Sequence, residues 1–245
     1  MRRMTWFLLV AVLLIGLMPV GCSKQSGKLQ VATDATWPPF EFVNTDTKAI
    51  EGFDIDVMNA IAEKADLDVE FVNVAWDPLL TGMAQGTYDM AISSITITDD
   101  RKKDMLFSDP YFAAGQIVVV RSNETAITGP ATLAGVVGAQ IGTTGAFEIE
   151  KISAATLKTY DDIGFAFQDL MNGQIVAVVC DNPVALGYVG ENAGKIKTAG
   201  DVFTDEYYGI AVAKRNADLL PKLNKAIAEL EAAGKFDELS KKWLE

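Results

Sequence analysis

A chain of 245 residues, 49% of them apolar, is too long for a minimal domain and suits one large or two modest ones with a real core. Its formal charge of −12 excludes the electrostatic footprint of a nucleic-acid or anionic-membrane binder. The absence of histidine excludes Ser-His-Asp and Cys-His catalysis and removes the commonest zinc ligand.

The chain opens MRRMTWFLLVAVLLIGLMPVGC. Arg2 and Arg3 precede an apolar run from Trp6 to Leu17, and small residues follow before Cys22. This predicts a secretory signal over 1–21, because the run falls short of the ~20 residues a span needs. Gly21-Cys22 resembles the end of a bacterial lipoprotein box, although Pro19 stands where that box has Leu. Lipidation of Cys22 would make 22–27 a short polar tether; an ordinary signal peptide cut nearby is the alternative. Either way the chain is expected to be exported, to a periplasm or the outer face of a bacterial plasma membrane. Cys180, in IVAVVCD, then has no disulfide partner and reads as a small buried strand residue.

Beyond the leader, short apolar runs alternate with helical patterns. KLQVATDA predicts a strand ending at Asp34. DIDVMNAIAEKAD has Val57, Met58, Ile61 and Ala62 at helical spacing, with Asp54 as the expected N-cap. VEFVNVAW is a strand, PLLTGMAQG a short helix ended by Gly86, and YDMAISS a third strand. GQIVVVRS and VVGAQIG are strands. DDIGFAFQDLMNG is a helix with Ile163, Phe167 and Leu170 on one face. IVAVVCD and YYGIAVAK are strands, and LLPKLNKAIAELEAAG and FDELSKKWL are the closing helices.

This order predicts α/β layers around mostly parallel sheet. In such sheets ligands sit beyond the carboxyl ends of the strands. Small polar residues fall at those ends here: Asp34, Ser93 and Ser94, Thr143 and Thr144, and Asp181. Each alone reads equally as a solvated loop residue. Arg101 follows the hydroxyl-rich stretch from Ser93 to Thr98, and on the residues alone it reads as a surface partner of Asp99 or Asp104.

The blocks TDATWPPFEF, EGFDIDVMNAIA, GTYDMAISSITITDDRKKDMLFSDPYF, YYGIAVAK and GKFDELSKKWL occur in this order between Leu29 and Leu244. Together they resemble the polar amino-acid-binding proteins of bacterial ABC importers, solute-binding family 3, especially members that bind glutamine or lysine, arginine and ornithine. The resemblance implies a type II periplasmic-binding-protein fold: two α/β lobes, two crossover strands and a ligand cleft between. Lobe 1 would hold 28–111 and 209–245, and lobe 2 would hold 112–208. It implies a monomer that serves a membrane permease and ATPase, needs no cofactor or metal, and meets the membrane through its lipid anchor only.

The resemblance also assigns roles. Arg101 would take the ligand carboxylate bidentately, aided by the hydroxyl and N–H of Thr96 and the N–H of Thr144. Asp181 would pair with the ammonium, with the carbonyl of Ser94 as a further acceptor and Ser93 beside it. Trp37 and Trp76 would wall the aliphatic part of the ligand. Asp34, Gln140 and Glu41 would meet the side-chain end. No Lys or Arg lies in TDATWPPFEF, so an acidic ligand is disfavoured, and arginine is expected ahead of glutamine and lysine. Lys102 and Lys103 are expected to be solvated.

Two other readings stand beside this one. Some relatives of the fold are periplasmic dehydratases of prephenate or arogenate, but DNPVAL places Pro183 and Val184 where those carry an acid. The chain could also serve as the ligand sensor of a membrane receptor, acting through a separate partner.

Overall fold

The computed structural model describes residues 27–245. The predicted signal, Cys22 and the tether as far as residue 26 lie outside the described residues. Two five-stranded sheets carry the two lobes. In the first, Leu29–Thr33 lies between Val69–Asn73 and Met90–Ala91, parallel to both. Ala211–Val212 joins antiparallel to Met90–Ala91, and Leu106–Phe107 forms the far edge. In the second, Gly135–Gln140 is parallel to Ala155–Tyr160 and to Ala177–Asp181. Gln116–Arg121 runs antiparallel to Ala177–Asp181 and to Ile196–Ala199.

Each sheet therefore has two parallel and two antiparallel pairings, where the sequence predicts mostly parallel ones. The cause is topological. One strand in each sheet, Ala211–Val212 and Gln116–Arg121, follows directly on a crossing and runs against the other four. Ala155–Tyr160 and Ile196–Ala199 are strands that the sequence reading does not predict. Alternate residues of Ala155–Tyr160 face solvent, which leaves no apolar run to notice.

The chain passes between the lobes twice, through Phe112–Ala114 and Glu206–Tyr208. These pair antiparallel, with Phe112 opposite Tyr208 and Ala114 opposite Glu206. YYGIAVAK is thus two strands, one in the crossing and Ala211–Val212 in the first sheet. Phe40, Phe53, Phe112 and Tyr208 cluster there with ring centroids 5.1 to 5.7 Å apart, mostly edge to face. Such pairs contribute ~0.5–1.5 kcal/mol each beyond area burial, so the crossing is rigidly seated on the first core.

The helix Phe53–Ala65 buries Val57, Met58, Ile61 and Ala62, the face its spacing predicts. Its cap is not Asp54. Gly52 holds that position at φ 138°, and a Cβ there would lie 2.2 Å from the carbonyl oxygen of Phe40. Asp54 is the second residue of the helix, fully buried and bonded elsewhere. The helices Leu220–Ala232 and Lys235–Trp243 pack on Phe53–Ala65 through Leu223, Ala226, Ile227 and Leu239. Among the described residues no helix is long and apolar enough to cross a membrane.

Candidate functional site

Asp34 follows directly on the strand Leu29–Thr33, and its backbone N–H donates to Ser93 Oγ at 2.9 Å. Its Oδ1 accepts from Thr36 Oγ1 at 3.0 Å, and its Oδ2 accepts from Gln140 Nε2 at 2.9 Å. Gln140 ends the strand Gly135–Gln140 of the other sheet. It is held by a second bond from Nε2 to the carbonyl of Asp161 and by Trp37 Nε1, which donates to its Oε1. Burial raises the Asp34 carboxyl to about 6, against the opposing pull of the Gln140 and Thr36 bonds.

Behind Ser93 and Ser94 lie two more acids. Ser93 Oγ donates to Glu41 Oε1 at 3.1 Å. Ser94 N–H and Tyr111 O–H donate to Asp54 Oδ2 at 2.6 and 2.8 Å. Ser94 holds a left-handed conformation, φ 48°, that a non-glycine residue adopts only under outside constraint, and the Asp54 bond supplies one. Glu41 and Asp54 are fully buried, and Glu41 Oε2 and Asp54 Oδ1 have no hydrogen-bond partner among the described residues. Burial first, then the Asp54 charge, drives Glu41 well above the usual carboxylate range; burial lifts Asp54 to about 6. No lysine or arginine among the described residues bonds to Asp34, Glu41 or Asp54. The Asp54 cap expectation fails because an acid at the start of a helix signals capping more often than a buried function.

At the other end Arg101 opens the short helix Arg101–Asp104. Nη1 donates to the carbonyl of Thr96 at 2.8 Å, and Nη2 donates to that of Gly142 at 3.2 Å. Gly142 turns at φ 69°, which aims its carbonyl across the cleft. The guanidinium lies 5.2 Å from the centre of the Trp76 ring, and Trp37 faces Trp76 at 6.3 Å and 23°. Burial pulls Arg101 down to about 10, still charged at neutral pH, and Asp181 and Glu206 oppose that shift. The surface partnership with Asp99 or Asp104 is absent among the described ion pairs. Lys102 and Lys103 instead make exposed contacts with Asp99 and Asp100.

Asp181 ends the strand Ala177–Asp181 and is buried, with Oδ1 unpartnered. Burial first, and the nearby Glu206 charge second, raise it to about 7. Glu206 was not foreseen. Its Oε2 accepts from Thr96 Oγ1 and from Thr144 Oγ1, both at 2.8 Å. The Thr96 hydroxyl, expected to face a ligand, is thus directed to Glu206. The one available signal was an acid in DEYYGIAVAK beside an apolar strand.

The residues expected at the site converge from both lobes. Asp34, Trp37, Ser93 and Gln140 form one bonded group; Trp76 adjoins Trp37; Arg101, Thr96 and Thr144 form the second group, within the field of Asp181. An open groove of about 750 Å³ reaches only the second group, touching Thr96, Arg101, Thr144 and Glu206 from outside. Asp34, Trp37, Ser93, Ser94, Gln140 and Asp181 do not line that groove and are closed over by the lobes. Among the described residues no group of three or more Cys, Asp or Glu is arranged to hold a metal ion.

Chemically, the described residues offer one half-buried cation near a buried carboxyl with an unpartnered oxygen, then an aromatic pair, then the Asp34 carboxyl with two more acids behind it. A zwitterion followed by a positively charged tail matches that order.

Comparison with known proteins agrees in kind. The family described as bacterial extracellular solute-binding proteins, family 3, matches residues 29–245. A probable histidine-binding protein of Neisseria gonorrhoeae is 35% identical over 222 residues, 87% of this chain and 82% of its own. The L-cystine-binding protein TcyJ of Escherichia coli K12 is 33% identical, covering 90% and 84%. Among solved structures, an ancestral arginine-binding protein bound to arginine superposes with a TM-score of 0.84 at 41% identity, covering 89% of this chain and 99% of that one.

Proposed function

The chain belongs to the bacterial extracellular solute-binding proteins of family 3, and from that premise we propose that it captures one free L-amino acid with a cationic side chain, arginine first. The closed lobes then present it to the permease and ATPase of an ABC importer. Glutamine and lysine come next. The relatives are named as binding proteins and not as enzymes, and this chain is read the same way.

The observation that carries the ligand class is the acid end. Asp34, Glu41 and Asp54 are buried together with no basic partner. Burying a charge unpaired costs several kcal/mol, ~3 or more, so a cationic tail is the natural complement and a carboxylate tail the worst. Trp37 and Trp76 would flank that tail. A planar group between two rings needs about 7 Å, twice a 3.5 Å carbon contact. The ring centroids now lie 6.3 Å apart with the planes at 23°, and the pair would part to admit the group. Arg101 with the N–H groups of Thr96 and Thr144 would hold the carboxylate; Asp181 and the Ser94 carbonyl would hold the ammonium.

On this reading lobe 1 comprises 28–111 with 209–245, lobe 2 comprises 112–208, and the protein acts as a monomer tethered outside the cell through Cys22. The decisive experiment is calorimetry of the mature protein against all the common amino acids and cystine. Arginine should be tightest, with lysine and glutamine next and glutamate weaker by on the order of 100-fold. Glutamate, histidine or cystine as the tightest ligand overturns the assignment.

A further inference from the structure

We propose that Glu206 is a positioning residue that latches the two lobes over the ligand without touching the ligand. The inference rests on the reading above, in which Arg101, Thr96 and Thr144 hold the ligand's α-carboxylate.

Glu206 begins the crossing strand Glu206–Tyr208, and the residue is 8% exposed. Both carboxylate oxygens are engaged, and by threonines alone. Oε1 accepts from Thr204 Oγ1 at 2.9 Å, while Oε2 accepts from Thr96 Oγ1 and Thr144 Oγ1 at 2.8 Å each. The two donors on Oε2 come from opposite lobes. Thr96 follows Met90–Ala91 of the first sheet, and Thr144 opens the helix Thr144–Glu150 beside the second. One oxygen of one side chain therefore joins the lobes, from the segment that links them covalently.

Thr96 is bridged to Tyr208 through the backbone, which holds it beside Glu206 from the first lobe. On the other side Glu206 pairs with Ala114, its Oε1 partner Thr204 accepts from the Gln116 N–H, and Gln116 Nε2 donates to Thr144 Oγ1 at 3.1 Å. Opening the cleft must break one of the two bonds on Oε2. A hydroxyl bonded to a carboxylate is held about twice as strongly as one bonded to a neutral acceptor. The latch also fixes both threonines' rotamers. Their hydroxyl protons point at Glu206, which leaves their backbone N–H groups to receive the ligand.

A latch that exists only in the closed state acts on dissociation more than on encounter. The test is stopped-flow tryptophan emission with arginine as the probe, on the wild type, Glu206→Ala, Thr144→Val and the double variant. Each single variant should release arginine at least ~5-fold faster, with association within about 3-fold of wild type. The double variant should release it no faster than Glu206→Ala alone, because both changes remove the same bond. Glu206→Gln covers the case in which the alanine variant does not fold: it should release arginine at an intermediate rate. Wild-type release from Glu206→Ala or Glu206→Gln overturns the latch, as do additive effects in the double variant. A residue that only supported the fold would lower thermal stability without this split between the two rates. Arg101→Ala separates the levels. Loss of binding there with unchanged release from Glu206→Ala removes the latch and leaves the ligand reading standing. Retained binding there removes both.

Discussion

Gln140 Nε2 donates to Asp34 Oδ2 at 2.9 Å across the cleft, joining the end of a strand in one sheet to the end of a strand in the other. The bond engages one oxygen of the carboxylate proposed to meet the ligand's far end, and Thr36 engages the other. A guanidinium arriving there would share or displace an amide donor, which puts a charged donor in place of a neutral one on the carboxylate. Asp34→Asn should therefore weaken arginine by roughly 10- to 100-fold, the value of a hydrogen bond to a charged group. Glutamine should lose much less. Calorimetry with both ligands checks this, and equal losses for the two would place Asp34 away from the side chain.

Acid protonation should set the pH response. Burial lifts Asp34 and Asp54 to about 6 and Asp181 to about 7. Their unfolded values lie near 3.9, so between about pH 4 and pH 7 the native protein binds more protons than the unfolded chain. Stability of the ligand-free protein should consequently fall as pH rises through that window. Its melting temperature should be higher at pH 5 than at pH 7.5. A cationic ligand reverses the preference, because it favours the ionised carboxyls. The melting increment from saturating arginine should thus shrink from pH 7.5 to pH 5, and calorimetry near pH 6 in two buffers of different ionisation enthalpy should register proton release. An increment that grows on acidification would contradict a cation at this site.

How far the sequence carries is best seen at its two kinds of failure. Apolar periodicity located the helix Phe53–Ala65 and the strands Leu29–Thr33 and Ala177–Asp181, because burial on a regular element leaves a regular pattern. It missed Ala155–Tyr160, whose alternate residues face water. The same limit applies to the cleft. Strand-end positions marked Asp34, Ser93, Ser94 and Asp181, since the fold's geometry fixes where such residues lie. Glu41, Asp54 and Glu206 act through partners 40 to 110 positions away in the chain. Nothing local distinguishes an acid whose hydrogen bonds close over such separations from an acid on a solvated turn.

Tethering is testable apart from the ligand. With Cys22 as the lipid-bearing residue, labelled palmitate should follow the protein in an expressing bacterium, and Cys22→Ala should abolish the label. One acyl chain gives only marginal membrane attachment, so a lipoprotein modification should be multiply acylated and resist salt extraction. An unlabelled wild type with a new N-terminus elsewhere would mean that Pro19 defeats the lipid signal.

Arg101 should dominate the affinity. Its guanidinium already spans the lobes by reaching the carbonyls of Thr96 and Gly142. Those two acceptors are neutral, so burial of its charge is compensated only at a distance by Asp181 and Glu206. A ligand carboxylate would supply the missing contact partner. Arg101→Ala removes that partner and leaves the carboxylate buried with N–H donors alone, at a cost of ~2–5 kcal/mol, or roughly 30- to several-thousand-fold in affinity. Arg101→Lys should also bind poorly, because a point charge cannot bond two carbonyls and a carboxylate with a planar fork. Lys102→Ala and Lys103→Ala should change affinity by less than about 2-fold, since their ion pairs face solvent and are screened by it. All four variants should fold, because Arg101 is half-buried at the cleft and Lys102 and Lys103 are exposed. Titration followed by tryptophan emission, with Trp37 and Trp76 as reporters of closure, measures each case. Binding by Arg101→Ala within a few-fold of wild type would mean that the guanidinium only ties the lobes together, and the carboxylate site would have to be sought elsewhere in the cleft.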